Sequence, residues 1–193
     1  MKNLSILLFA FLFTLNYIPM QAQETKFKEI SIKELQDNVV KLIGDDWMLI
    51  TAGSIDSCNM MTASWGGVGH LWNMPVVFTF VRPQRYTYQF TENDEYFTLT
   101  FFAEKDRKIL NYCGSNSGRD VNKIEETGLI PLSTDLGNVY FEQARIVIEC
   151  QKVYSDFIDP QGFTTDSILN SMYPKKDFHK MYIGKIIRVL VVE

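Results

Sequence analysis

Strand-length apolar runs, spaced by turns and short helical patterns but never in regular β-α-β alternation, most restrict what this chain can fold into. Trp47-Met48-Leu49-Ile50-Thr51-Ala52-Gly53 reads as a strand ending in a glycine turn. A second strand over 59–65 follows the turn at Asp56 and Ser57, close enough for the two to pair as neighbours. The run 75–82 is a third strand, with Pro75 tolerated at its first position. Tyr96-Phe97-Thr98-Leu99-Thr100-Phe101-Phe102 resumes alternation as a fourth. One or two further β runs lie in 139–153, and an Ile- and Val-rich strand over 181–192 closes the chain. This order predicts a mainly β, antiparallel barrel with added helices. A doubly wound parallel sheet is not expected, and no G-x-G-x-x-G follows a strand.

The intervening segments supply the helices. Ser31 and Glu34 stand at capping-box spacing, which predicts a short helix over 32–38. Pro83 can open a helix that carries Tyr86 and Phe90 on one face. Residues 104–112 have a helical pattern, and so do 120–127, with Asp120 as cap and Gly128 as stop. Asp159-Pro160-Gln161-Gly162 marks a turn, and 163–177 reads as a weakly periodic excursion.

A chain of 193 residues is long enough for one domain with a sizeable core. Its net charge of −4 argues against a nucleic-acid surface. Lys2, the apolar stretch 4–17 and the segment Pro19-Met20-Gln21-Ala22 together read as an export signal over 1–22, leaving a single domain over 23–193. An exported, periplasmic protein is therefore expected, free of the membrane once the signal is cleaved. The alternative is a membrane anchor formed by an uncleaved N-terminus, although the stretch falls short of the ~20 residues a span needs. Three cysteines, Cys58, Cys113 and Cys150, give neither a disulfide framework nor a zinc pattern; buried free thiols are the expected state, with one pair bridged in an oxidising compartment as the alternative.

Few patterns carry chemistry. Only His70 and His179 are present, in no metal-binding spacing, so no metal site is expected. No G-x-S-x-G elbow exists either. The segment 58–67 mixes Asn59, Thr62, Ser64 and Trp65 with a closing Gly-Gly, a composition suited to close approach of a flat polar ligand; its ordinary alternative is a strand with solvated hydroxyls. Arg82 and Arg85 flank Pro83, with Thr87 beyond. Ser115-Asn116-Ser117-Gly118-Arg119-Asp120 opens another helical pattern, with Lys123 one turn inside it. Such groups at helix starts suit phosphate, whereas a single Arg or Lys is more often solvated surface charge, and Arg119 has Asp120 or Glu126 as an alternative ion-pair partner.

Taken in order, Asn59-Met60-Met61-Thr62-Ala63-Ser64-Trp65, Val81-Arg82-Pro83-Gln84-Arg85-Tyr86-Thr87, Tyr112-Cys113-Gly114 with Ser117-Gly118-Arg119-Asp120 and Lys123, Glu149-Cys150, and His179 with Tyr182-Ile183-Gly184 resemble the flavin reductase-like family, in particular its flavoredoxin branch. The resemblance implies a six-stranded antiparallel FMN-binding split β-barrel that forms a homodimer. It also implies FMN held non-covalently near the subunit interface, with NAD(P)H or a redox protein as electron donor. Asn59, Thr62, Ser64 and Trp65 match the strand lining the isoalloxazine. Arg82, Arg85 and Thr87 match the segment near the ribityl-phosphate; Lys123 matches a basic contact, with Ser117 close by. His179 matches the family histidine near the ring. The excursion over 156–177 is longer than the family's pattern, and an export signal is unusual for it.

Overall fold

The computed structural model describes residues 26–193, so the export signal expected over 1–22 lies outside the described residues. The main sheet contains β1 (Phe27–Ile30), β2 (Met48–Ser54), β3 (Ser57–Ala63), β4 (Gly66–Leu71), β5 (Met74–Val81), β6 (Tyr96–Phe102), β9 (Ala144–Phe157) and β10 (Lys180–Val192). A separate hairpin pairs β7 (Pro131–Ser133) with β8 (Val139–Phe141). All pairings are antiparallel, in the order β3-β2-β6-β9-β10-β5-β4, with β1 added along β10.

Strand alternation curls this sheet. Ile50 and Ala52 of β2, Met61 and Ala63 of β3, Val77 and Val81 of β5, Phe97, Leu99 and Phe101 of β6, Ile146 and Ile148 of β9, and Tyr182, Ile186 and Val189 of β10 meet in one buried cluster. Six strands can share one interior only if the sheet wraps around it. The wrap stays open by hydrogen bonding, because β3 and β4 each pair on one side only. These six contributors are the strands the sequence marks, whereas the eight-stranded sheet exceeds the expected six through β1 and β4. In β4, Gly66, Gly67 and Gly69 leave no hydrophobic alternation to read. A two-residue turn joins β4 to β5, with Trp72 and Asn73 both at positive φ. Such turns follow the sheet twist, but a bulky Trp is an unusual occupant.

The outward residues of β2 and β3 seat the helices. Leu49 and Met60 pack with Phe102, Val139, Phe141 and Leu129 against Ile109, Leu110 and Cys113 of α3 (Arg107–Ser115). Burying each of these larger side chains contributes about 1.5–3 kcal/mol, which holds α3 and the loop after it against β3. The other α-helices are α1 (Val39–Lys41), α2 (Thr87–Asn93), α4 (Lys123–Thr127) and α5 (Asp166–Met172).

Boundaries differ from the sequence expectation for local reasons. The Ser31–Glu34 capping box forms, yet it caps only a single 3-10 turn, Ile32–Glu34, because Asn38 then caps α1. Pro83 does not open a helix: Arg85 N–H bonds back to Arg82 in a turn, and α2 starts at Thr87. Asn122, not Asp120, caps α4, and Gly128 ends it in the left-handed region. The excursion contains α5, and no residue of α5 is buried. All three cysteines are free, Cys113 and Cys150 buried as expected and Cys58 only half-buried.

Across the outer face, Thr98 stands opposite both Thr51 and Glu149, and Glu149 opposite Arg188. The buried Glu149 carboxylate accepts from Thr134 and from Asn138 Nδ2 at 2.7 Å, which ties the β7–β8 loop to the barrel. That accounts structurally for one motif residue away from the cleft.

Candidate functional site

Three distant segments lock together at the start of β3. Asn59, 4% exposed, donates from Nδ2 to Thr87 Oγ1 at 2.7 Å, at the first residue of α2. Its Oδ1 lies against Gly118, where an added Cβ would come within 2.0 Å of it. Lys123 makes a second knot beside this one. Its buried Nζ donates to Met60 O at 2.9 Å and Cys113 O at 2.8 Å, joining β3, α3 and α4. Burial lowers the Lys123 pKa, and the nearby Arg85 charge acts in the same direction. Two carbonyl acceptors leave one ammonium hydrogen for a ligand.

The cations expected at the phosphate end divide into two groups. Arg85 is exposed and spends Nη1 on Gly114 O at 3.0 Å, keeping its other donors. Ser117 Oγ accepts from Arg119 N at 3.2 Å, so its hydroxyl hydrogen is available. Arg119 pairs with neither Asp120 nor Glu126; it donates to Gln84 O at 3.1 Å and covers the Tyr86 ring at 5.0 Å. Arg82 turns the other way. It forms an ion pair with Asp177, donates from Nη2 to Met172 O at 3.0 Å and from Nε to His179 Nε2 at 3.3 Å, and lies over the Tyr173 ring. The Arg82 guanidinium thus serves the excursion first.

The expected residues line two adjoining lobes. One, about 580 Å³, is bordered by Asn59, Arg82, Arg85, Thr87, Ser117, Gly118 and Lys123. The other, about 230 Å³, is bordered by Thr62, Ser64, Trp65, Phe80, Arg82, Arg85 and His179. Met61, Arg82 and Arg85 border both. The first lobe is polar and cationic and the second aromatic, and between them they collect Asn59, Thr62, Ser64, Trp65, Arg82, Arg85, Thr87, Ser117, Lys123 and His179, the residues the sequence matched to ring and phosphate. Thr62 contributes little polarity, since its hydroxyl donates to Leu110 O at 2.5 Å.

The aromatic lobe is built on His179. Trp65, 42% exposed, leans on the imidazole with ring centroids 5.0 Å apart, and Phe80 meets it edge-on at 6.5 Å. Tyr173 Oη lies 2.9 Å from Nδ1. Burial, and then the Arg82 charge, push the His179 pKa down to about 4. Between that value and the ordinary 6.5, an unfolded chain binds a proton that the native chain does not. Native stability therefore falls as pH drops through this window, by about 2–3 kcal/mol from this group. Urea unfolding at pH 7.5 and 4.5 tests this. The His179→Gln protein is expected to lose less stability between the two pH values than the parent, and equal losses would refute the assignment. Sequence reasoning missed Tyr173 and Asp177, because neither lies in a recognisable motif and both reach the cleft-lining His179 and Arg82 from the excursion.

The chain is thus a split antiparallel barrel whose cleft offers aromatic walls at one end and cations at the other. The sequence profile of the flavin reductase like domain matches residues 42–193, and the chain belongs to that family. No curated protein matches it. Among solved structures, the flavoredoxin of Desulfovibrio vulgaris (Miyazaki F) superposes with a TM-score of 0.59 at 22% identity, over 75% of this chain and 68% of that one. The FMN-binding domain of a flavin reductases-like enzyme from Shewanella baltica OS155 gives a TM-score of 0.63 at 14% identity, over 88% and 79%. The NADH:FAD oxidoreductase of Streptomyces globisporus gives 0.57 at 14%, over 77% and 78%. At these identities the structural likeness concerns the fold.

Proposed function

We propose that this chain holds FMN non-covalently in the two-lobed cleft and acts as an oxidoreductase, passing electrons from NAD(P)H or a protein donor to an acceptor. The observation that carries this reading is the junction of an aromatic lobe with a cationic one through Met61, Arg82 and Arg85. The donor set fits a ligand with a flat ring and a phosphate. Arg85, the remaining Lys123 hydrogen and the Ser117 hydroxyl supply charge-assisted donors for the phosphate. Trp65 and Phe80 give the ring apolar neighbours, and the Asn59–Thr87–Gly118 contact fixes the spacing between ring and phosphate groups. When bound, the flavin supplies the redox chemistry, while the protein supplies position and electrostatics. His179 is neutral near pH 7 and adds no charge at the ring end. Arg85 supplies the positive potential that favours a more anionic reduced ring. In this reading the protein is an exported homodimer, and a second copy covers part of the mouth beside Trp65.

The export signal pattern supports a second reading, in which the same barrel carries electrons between proteins outside the cytoplasm without oxidising a nicotinamide. Anaerobic stopped-flow mixing of the flavin-loaded protein with NADH or NADPH separates the two. Bleaching of flavin absorbance with either donor is expected for the oxidoreductase. A flavin that stays oxidised with both, yet is reduced by dithionite, would leave the carrier.

A further inference from the structure

The excursion is the part of the chain the family reading does not use, and it makes its closest contacts at the ring end of the cleft. Tyr173, at the end of α5, is 5% exposed although α5 itself buries nothing. A side chain buried from an otherwise exposed segment needs a partner to hold it there, and Tyr173 has several. Phe178 stacks on it at 4.9 Å, Phe163 meets it at 5.9 Å, and Arg82 lies over its ring at 5.4 Å. Its hydroxyl is 2.9 Å from His179 Nδ1.

The two contacts to His179 determine its proton. An arginine has no lone pair to offer, so the Arg82 Nε contact requires His179 Nε2 to accept. A neutral imidazole that accepts at Nε2 carries its hydrogen on Nδ1, and that hydrogen is directed at the Tyr173 oxygen. We propose that Tyr173 is a positioning residue, which together with Arg82 holds His179 as its Nδ1–H tautomer at the ring end of the cleft. The charged groups near the imidazole are Arg82 and Arg85 from the segment after β5, and Asp177 from the excursion. The arginines oppose a second imidazole proton and Asp177 favours it, but Asp177 is already paired with Arg82. In this arrangement both ring nitrogens are committed within the protein. His179 is therefore a fixed neutral wall and not a proton donor, and the excursion sets that state.

The functional weight of this inference rests on the flavin reading, but the tautomer does not, so it is tested in protein free of flavin. Long-range ¹H–¹⁵N spectra distinguish the two imidazole tautomers. With only two histidines in the chain, His70→Gln assigns the signals. Between pH 5.5 and 8, His179 is expected to show a protonated Nδ1, an unprotonated Nε2 and no titration step. Arg82→Met removes the donor to Nε2 and is expected to shift at least half of the population away from the Nδ1–H form, whereas Tyr173→Phe removes only the acceptor and is expected to move the Nδ1 and Hδ1 resonances without changing the tautomer. A parent spectrum dominated by Nε2–H, a titration step near pH 6.5, an Arg82→Met spectrum that keeps the Nδ1–H form, or a Tyr173→Phe spectrum identical to the parent would overturn the proposal. If FMN fails to bind while the tautomer result holds, the flavin reading is what falls.

Discussion

Replacing Gly118 with alanine is expected to weaken FMN binding by roughly 10- to 100-fold, corresponding to the ~1–3 kcal/mol that an inserted methyl costs in a packed site. The new Cβ would lie 2.0 Å from Asn59 Oδ1, 3.0 Å from Asn59 Cγ and 3.1 Å from Tyr86 Cδ1. Neither neighbour can yield freely. Asn59 is buried and bonded to Thr87, while Tyr86 is sandwiched between Arg119 and Phe90. The loop 116–120 must back away from β3, and with it Ser117 leaves the phosphate lobe. Gly162→Ala is the control, since nothing lies within 4 Å of its added Cβ. Flavin titration by fluorescence quenching measures the loss, and thermal unfolding measures any accompanying destabilisation. Adding Asn59→Ala should recover part of the lost stability, because the two positions share one contact and their effects are not additive. Strictly additive unfolding data, or an FMN affinity unchanged by Gly118→Ala, would remove Gly118 from the site.

The barrel was legible in the sequence because period-2 alternation is a local signal. Tyr96–Phe102 is a strand over the bounds that its alternation marks. Alternation also places Leu49 and Met60 on one side of the sheet and Ile50 and Met61 on the other. β4 was hidden because glycine has no side chain to alternate; the strand pairs antiparallel with β5 and sends Val68 against the core. The early part of the segment after β5 was misread because Pro83 is compatible with both a turn and a helix start; the back-bond from Arg85 to Arg82 decides for the turn. Helix capping misled by two residues, since Asp120 and Asn122 are both competent caps and only Asn122 accepts from the N–H of Glu125.

The candidate site was legible as a set of residues but not as a division of labour. Arg82 and Arg85 look equivalent in sequence, three positions apart around one proline. Their difference comes from Asp177 and Met172, about ninety positions further on, which take up the Arg82 donors and leave Arg85 facing the polar lobe. No local rule exposes a pairing at that separation. Lys123 illustrates the same point from the other side. In sequence it is one more surface lysine on a helix, whereas in the fold its stem is buried and its ammonium group bridges two elements.

That double duty makes Lys123 the most informative position for testing the placement of the phosphate. Lys123→Met removes the charge, but it also leaves Met60 O and Cys113 O without their donor. The second effect loosens β3 against α3 and weakens any ligand of the cleft, whatever its charge. Riboflavin has the ring and side chain of FMN without the phosphate, so the ratio of FMN to riboflavin affinity isolates the charge effect. Arg85→Gln can preserve a donor to Gly114 O while removing the charge, so its structural component should be small. Each charge-assisted contact is worth about 1.5–3 kcal/mol, and the double variant is expected to lower the FMN to riboflavin affinity ratio by about 100-fold or more. Salt supplies a second measure. The parent's FMN affinity should fall as ionic strength rises while its riboflavin affinity changes little, and the double variant should lose most of that dependence. If both flavins weaken equally in the double variant and the salt dependence persists, Arg85 and Lys123 do not face the phosphate, and the polar lobe must take a different part of the ligand.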